Sequence, residues 1–158
     1  MDIQIQKAVE ADIPTIVALM REFAEYENLV EFCEVTEERL VAAMFAADGF
    51  VEGLIAEENS RPIGYALFYP YFASFRGQRG YYLEDIFVTE AGRRNGVGEA
   101  MLREIAKAGR KRGFERIDFQ VLAWNTPAVN FYQKLGAIRD EDERHFKFTD
   151  EAFKSLAA

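Results

Sequence analysis

Tyr81-Tyr82-Leu83-Glu84-Asp85-Ile86-Phe87-Val88, followed after four residues by Arg93-Arg94-Asn95-Gly96-Val97-Gly98, reads as an apolar strand, a polar loop and a glycine pair that opens a helix. Glycine lets backbone approach a ligand closely. A helix N-terminus presents unpaired N–H groups with a partial positive charge. The two together make an anion site suited to a pyrophosphate. The loop is not a Walker P-loop, because Gly-x-x-x-x-Gly-Lys-Ser/Thr occurs nowhere in the chain. It is not a dinucleotide fingerprint either, because Met101 stands at the third glycine position. The structural alternative is a tight strand-to-helix turn with solvated arginines.

Working outward, Val97, Met101, Ile105 and Ala108 make one helical stripe, closed by Arg112-Gly113. Ile117, Phe119 and Val121 alternate into a strand. Pro127 to Leu135 reads as a short helix ending at Gly136. A last strand is expected near His145 to Phe148, and a terminal helix from Asp150. Upstream, Val51 to Glu57 and Ile63 to Tyr69 form a hairpin around Asn59-Ser60-Arg61-Pro62. Phe72 to Gly80 is expected as a loop. Ile3 and Ile5 alternate in a first strand. Helices follow from Asp12-Ile13-Pro14 and from Thr36-Glu37-Glu38. Helical crossovers imply parallel strands and hairpins antiparallel ones. The expectation is a mixed α/β sheet covered by helices, in one domain spanning residues 1–158.

The chain's 158 residues suffice for a real core. Apolar residues are 49%, with 14 Phe and 7 Tyr, which excludes a disordered protein. The net charge is −8, which argues against a nucleic-acid partner and suits a cationic substrate. Cys33 is the one cysteine, so no internal disulfide forms and a reducing compartment is expected. No apolar run reaches membrane-spanning length and no signal peptide is visible. A cytoplasmic protein is expected. No metal-ligand spacing is present, and Cys33 and His145 read as structural.

These motifs resemble those of the GNAT acyltransferase superfamily. Arg93-Arg94-Asn95-Gly96-Val97-Gly98 is similar to its Gln/Arg-x-x-Gly-x-Gly/Ala acyl-CoA loop. Trp124-Asn125-Thr126-Pro127-Ala128-Val129-Asn130-Phe131-Tyr132-Gln133-Lys134-Leu135-Gly136-Ala137 is similar to its Asn…Phe-Tyr…Gly block. Phe23-Ala24-Glu25-Tyr26-Glu27 and Tyr82 to Val88 resemble the diamine (spermidine/spermine) N-acetyltransferase group. The resemblance implies a mixed, mostly antiparallel sheet, splayed at the cofactor strand. It implies acetyl-CoA as cosubstrate, a small primary amine as acceptor, direct transfer, and a homodimer.

Residue by residue, it implies Glu84 as general base, through water, and Tyr132 as the acid that meets the departing thiolate. It places the cofactor on Ile86, Phe87 and Val88, on Arg93, Arg94, Asn95, Gly96, Val97, Gly98 and Glu99, and on Asn125 and Tyr132. It places the acceptor among Tyr26, Glu27, Phe75, Glu84 and Asp85. Asn125 also suits a helix cap. Glu84 and Asp85 are neighbours, so in a regular strand they face opposite ways. Only a bulge, which the family has in this strand, brings both to one groove. One departure stands out. The polyamine enzymes carry an acid before an aromatic in the preceding loop, where this chain reads Phe72-Ala73-Ser74-Phe75-Arg76-Gly77. Phe75 supplies the aromatic, the acid is missing, and a short amine is therefore favoured over spermine. The alternatives are a protein lysine or N-terminal acetyltransferase and a non-catalytic acyl-CoA-binding module.

Overall fold

Pairing between strands, rather than the pattern within any one of them, sets the architecture. The computed structural model describes residues 2–158 and divides into two compact units, up to Gln120 and Val121–Ala158. In the first unit, β1 (Ile3–Lys7), β2 (Glu52–Glu58), β3 (Arg61–Ala73), β4 (Gln78–Val88) and β5 (Arg116–Phe119) form one sheet in the order 1-2-3-4-5. The first three pairings are antiparallel and β4–β5 is parallel. The parallel pair follows from the crossover helix α3 (Val97–Lys111). The expected mixed, mostly antiparallel sheet is what forms.

Each face of the sheet buries its own core. On one, Val97, Met101 and Ile105 of α3 lie against Ala66, Phe68, Tyr81 and Leu83. On the other, Ile13, Ile16, Val17 and Leu19 of α1 (Ile13–Tyr26) and Leu40 of α2 (Glu37–Phe45) pack on Tyr65, Leu67 and Phe87. Strand alternation divides β3 between them. Pro14 sits in the first turn of α1, and Thr36 Oγ1 caps α2 by accepting from Arg39 N–H at 3.1 Å. Asp12 instead accepts from Val9 N–H at 2.8 Å, one turn earlier.

Two expectations are corrected. The Phe72–Gly80 loop is mostly strand: the β3–β4 ladder runs out to Ala73 opposite Gln78, leaving a tight turn with Gly77 at φ 61°. Cross-strand hydrogen bonds override the weak local signal of Gly77 and Gly80. The strand expected near His145 to Phe148 is not formed, and residues 138–149 contain none. Alternation there has no neighbouring ladder to join, and a strand exists only by pairing. The second unit consists of α4 (Thr126–Lys134), a turn through Gly136 at φ 100°, and α5 (Asp150–Ala157).

Two irregularities of β4 position the chemistry. The β3–β4 register shifts: Leu67 pairs with Asp85 and Phe68 with Leu83, so Glu84 is an extra residue. Moreover, β5 accompanies β4 only from Gly80 to Leu83. Past that point β5 no longer covers the edge of β4, so the backbone of Ile86, Phe87 and Val88 has no strand partner on that side.

Candidate active site

The bulge at Glu84 resolves the problem of the adjacent carboxylates. Leu83 belongs to the α3 core and Phe87 to the α1 core. Regular alternation would give residues 83 and 87 the same side, so one face switch lies between them. Its effect is read from the hydrogen bonds. Tyr69 OH donates to Glu84 Oε2 at 3.3 Å, and Tyr65 OH donates to Asp85 Oδ2 at 2.8 Å. Tyr65 and Tyr69 are four apart on β3, hence on one face. Both carboxylates therefore stand on the α1 side. The two tyrosines bracket them, Tyr65 opposite Phe87 and Tyr69 opposite Tyr82.

Their environments differ. Glu84 is exposed, and Tyr69 beside it stacks on Tyr82 with ring centroids 5.5 Å apart. Burial, and then the Glu84 charge and hydrogen bond, push the Tyr69 phenol up to about 12. Asp85 is partly buried. Burial pushes its carboxyl up to about 6, against the lowering effect of the Tyr65 hydrogen bond and with a further push from Glu84. Glu27, the residue that ends α1, is raised by burial and by the Asp85 charge. Such displaced carboxyls gather where function needs them. Tyr26 lies 6.5 Å from the Phe87 ring, so the end of α1 reaches β4 beside the acids.

The loop after β4 leaves backbone N–H groups open to an anion at the start of α3. Arg94 has φ 70° and Gly96 φ 73°, and Gly96 is the N-cap of α3 with no side chain capping the helix. A Cβ built on Gly96 would meet nothing within 4 Å, so the requirement there is conformational rather than spatial. The first-turn N–H groups at Val97, Gly98 and Glu99 lack intrahelical acceptors. They fit a pyrophosphate. Arg93 is used differently: its Nε donates to Val88 O at 3.0 Å, and its guanidinium lies 4.6 Å from the Tyr26 ring centroid and 5.8 Å from that of Phe87. It ties the loop to the end of α1, while Arg94 is exposed.

Phe75 stands at the tip of the β3–β4 hairpin and is fully exposed. It lies in the turn beyond Ala73, where β3 ends, while Tyr69, which bonds Glu84, lies four residues earlier within the strand. In the second unit Asn125 is buried and its side chain accepts from Ala128 N–H at 3.3 Å, capping α4. Tyr132 lies on the same helix, partly exposed, its ring edge-on to Phe131 at 5.2 Å. Tyr65 and Tyr69 join the two carboxylates only through contacts between strands. Their only sequence signal is a spacing of four within an apolar strand, which by itself describes a core face.

The acetyltransferase (GNAT) family pattern matches residues 16–137, spanning the bulged strand, the glycine loop and the Asn125–Ala137 block. The chain belongs to the GNAT acetyltransferase family. This GNAT chain is 34% identical to a thialysine N-epsilon-acetyltransferase of Bos taurus, over 98% of this chain and 97% of that one. It is 26% identical to an L-ornithine N5-acetyltransferase of Arabidopsis thaliana, over 97% and 87%. An integron cassette protein from the mobile metagenome of V. cholerae shares the fold, with a TM-score of 0.83 over 99% of this chain and 98% of that one at 20% identity. The GNAT enzyme is thus an N-acetyltransferase.

Proposed function

We propose that this enzyme transfers acetyl from acetyl-CoA directly to the primary amine of a short cationic molecule, an amino acid with a side-chain amine or a diamine. The observation that carries the reading is the bulge that sets Glu84 and Asp85 side by side on one face. A base and an ammonium anchor are then adjacent, and among the described residues no ion pair engages either. The thialysine and ornithine enzymes to which the chain is similar both act on amine-bearing amino acids, which supports this substrate class.

The α3 first turn with Arg94 and Asn95 would hold the pyrophosphate, and the free backbone edge of Ile86, Phe87 and Val88 the pantetheine. Bound there, acetyl-CoA supplies an activated acyl thioester. Glu84 accepts the ammonium proton, directly or through one water, because only a neutral amine is nucleophilic. Asp85 and Glu27 hold positive charge beside the reacting amine. Tyr26 lines the same end of α1. Tyr132 is the proton donor for the departing thiolate, and Asn125 orders its helix. Ala73-Ser74 offers no carboxylate and Arg76 adds a positive charge, so a long polyamine lacks a distal contact.

No helix among the described residues is long and apolar enough to cross a membrane, and the proposed location is cytoplasmic. The proposed assembly is a homodimer: Ile138, Phe146 and Phe148 are largely exposed, and a second copy would cover them. The test is an amine panel with acetyl-CoA, following free-thiol release. Ornithine-like amino acids and short diamines should give the highest kcat/KM. Highest turnover with spermine, or with lysine-containing peptides, would overturn the acceptor class. No turnover with any amine would favour a binding module.

A further inference from the structure

We propose that Tyr65 is a positioning residue for the acceptor: its buried phenol holds the Asp85 carboxylate on the acceptor face by a hydrogen bond. The proposal rests on the reading of Asp85 as the ammonium anchor. Tyr65 is wholly buried, at 0% exposure, in the core between β3 and α1. A buried hydroxyl without a partner is costly, and phenylalanine would fill the same space without that cost. The hydroxyl is matched by Asp85 Oδ2 at 2.8 Å. Its ring is held in place, 6.4 Å from that of Phe87.

The other groups around Asp85 give it no such help. Glu84 is next to it on the bulge, and its charge disfavours a second carboxylate. Glu27 faces it from the end of α1, and burial with the Asp85 charge raises the Glu27 carboxyl, so it brings Asp85 no positive charge. Cys33, after the turn Val30–Phe32, acts on Tyr65 and adds no positive charge. Arg93 is the cation of the neighbouring loop, but it is bound to Val88 O and lies over the rings of Tyr26 and Phe87. Tyr65 is thus the donor that opposes the desolvation of Asp85. Its removal leaves a partly buried carboxyl beside two other acids, and that carboxyl keeps its proton to higher pH. A protonated Asp85 attracts no ammonium.

The experiment measures kcat and KM for the best amine of the panel across pH in three proteins besides the wild type. Asp85→Asn identifies the acidic limb of kcat/KM that belongs to Asp85, since it should abolish that limb and raise KM. Tyr65→Phe should move the limb up by about one to two pH units, the size expected for a hydrogen bond to a charged group. KM should then rise about tenfold below the new limb and recover at alkaline pH, with kcat at saturation little changed. Should Tyr65→Phe fail to fold, 3-fluorotyrosine at position 65 keeps the shape and is a stronger donor, so it should move the limb down. A limb unmoved by either change, while Asp85→Asn removes it, overturns the role of Tyr65 and leaves the anchor standing. An Asp85→Asn enzyme with wild-type KM and limb overturns the anchor itself and this proposal with it. A purely structural Tyr65 would lower Tm in the Phe variant and leave the limb in place.

Discussion

Tyr65–Asp85 and Tyr69–Glu84 are the same chemical couple built twice on neighbouring strands, yet the two behave as opposites. The inner couple has a bond of 2.8 Å and a fully buried phenol; the outer has a bond of 3.3 Å and an exposed carboxylate. Burial raises Asp85 to about 6. Glu84, in contact with solvent, can exchange protons through water. In the proposed mechanism the difference assigns anchoring to the buried pair and proton transfer to the one open to water. Residue type does not decide it.

The comparison breaks first at Glu84. Glu84→Gln keeps the size of the side chain and its bond to Tyr69 but removes the proposed base. We expect kcat/KM to fall by roughly 10²–10⁴-fold, the range of a general base, mostly in kcat. Steady-state kinetics check this. Equal kcat losses in Glu84→Gln and Asp85→Asn would show that the two carboxylates share one role.

Asp85 gives a smaller and oppositely signed effect on stability. Its folded-state pKa of about 6 lies above the ordinary 3.8. The folded chain therefore binds the proton more tightly than the unfolded chain. Stability falls as pH rises through that window and stays lower above it. Asp85→Asn removes the penalty, so the variant should be more stable than wild type above pH 6, by about 1–2 kcal/mol after allowance for partial exposure. Near pH 3.5 the two should coincide. Urea melts at both pH values test it, and a difference that does not change with pH would contradict the assigned carboxyl.

Tyr69→Phe should do least. The bond is long and half in water, so its loss is worth about 0.5 kcal/mol, near a twofold change. A shift in the pH profile as large as that expected for Tyr65→Phe would erase the distinction between the couples. A core substitution calibrates the scale: Ile105→Ala, at 0% exposure between α3 and the sheet, should cost about 2–5 kcal/mol by chemical denaturation, with the pH profile unmoved.

Local chemistry was enough for much of this molecule. The 3.6-residue stripe Val97-Met101-Ile105, the Thr36 cap, the Pro14 start and the Arg93–Gly98 loop depend on residues within a turn or two of each other, and they stand where the chain's order of residues puts them. Glu84, Asp85 and Glu27 could be singled out as charges next to apolar stretches. What the sequence could not contain is register. The Glu84 bulge exists because Leu67 pairs with Asp85 while Phe68 pairs with Leu83. That slip is settled by two cores filling on opposite faces of the sheet. The same non-local pairing extended β3 to Ala73 and left His145 to Phe148 without a ladder. It also turned Tyr65 and Tyr69 from two apolar-strand tyrosines into hydrogen-bond donors. A hydrogen bond between β3 and β4 depends on which residues face each other, and that is decided only when the whole sheet closes its cores.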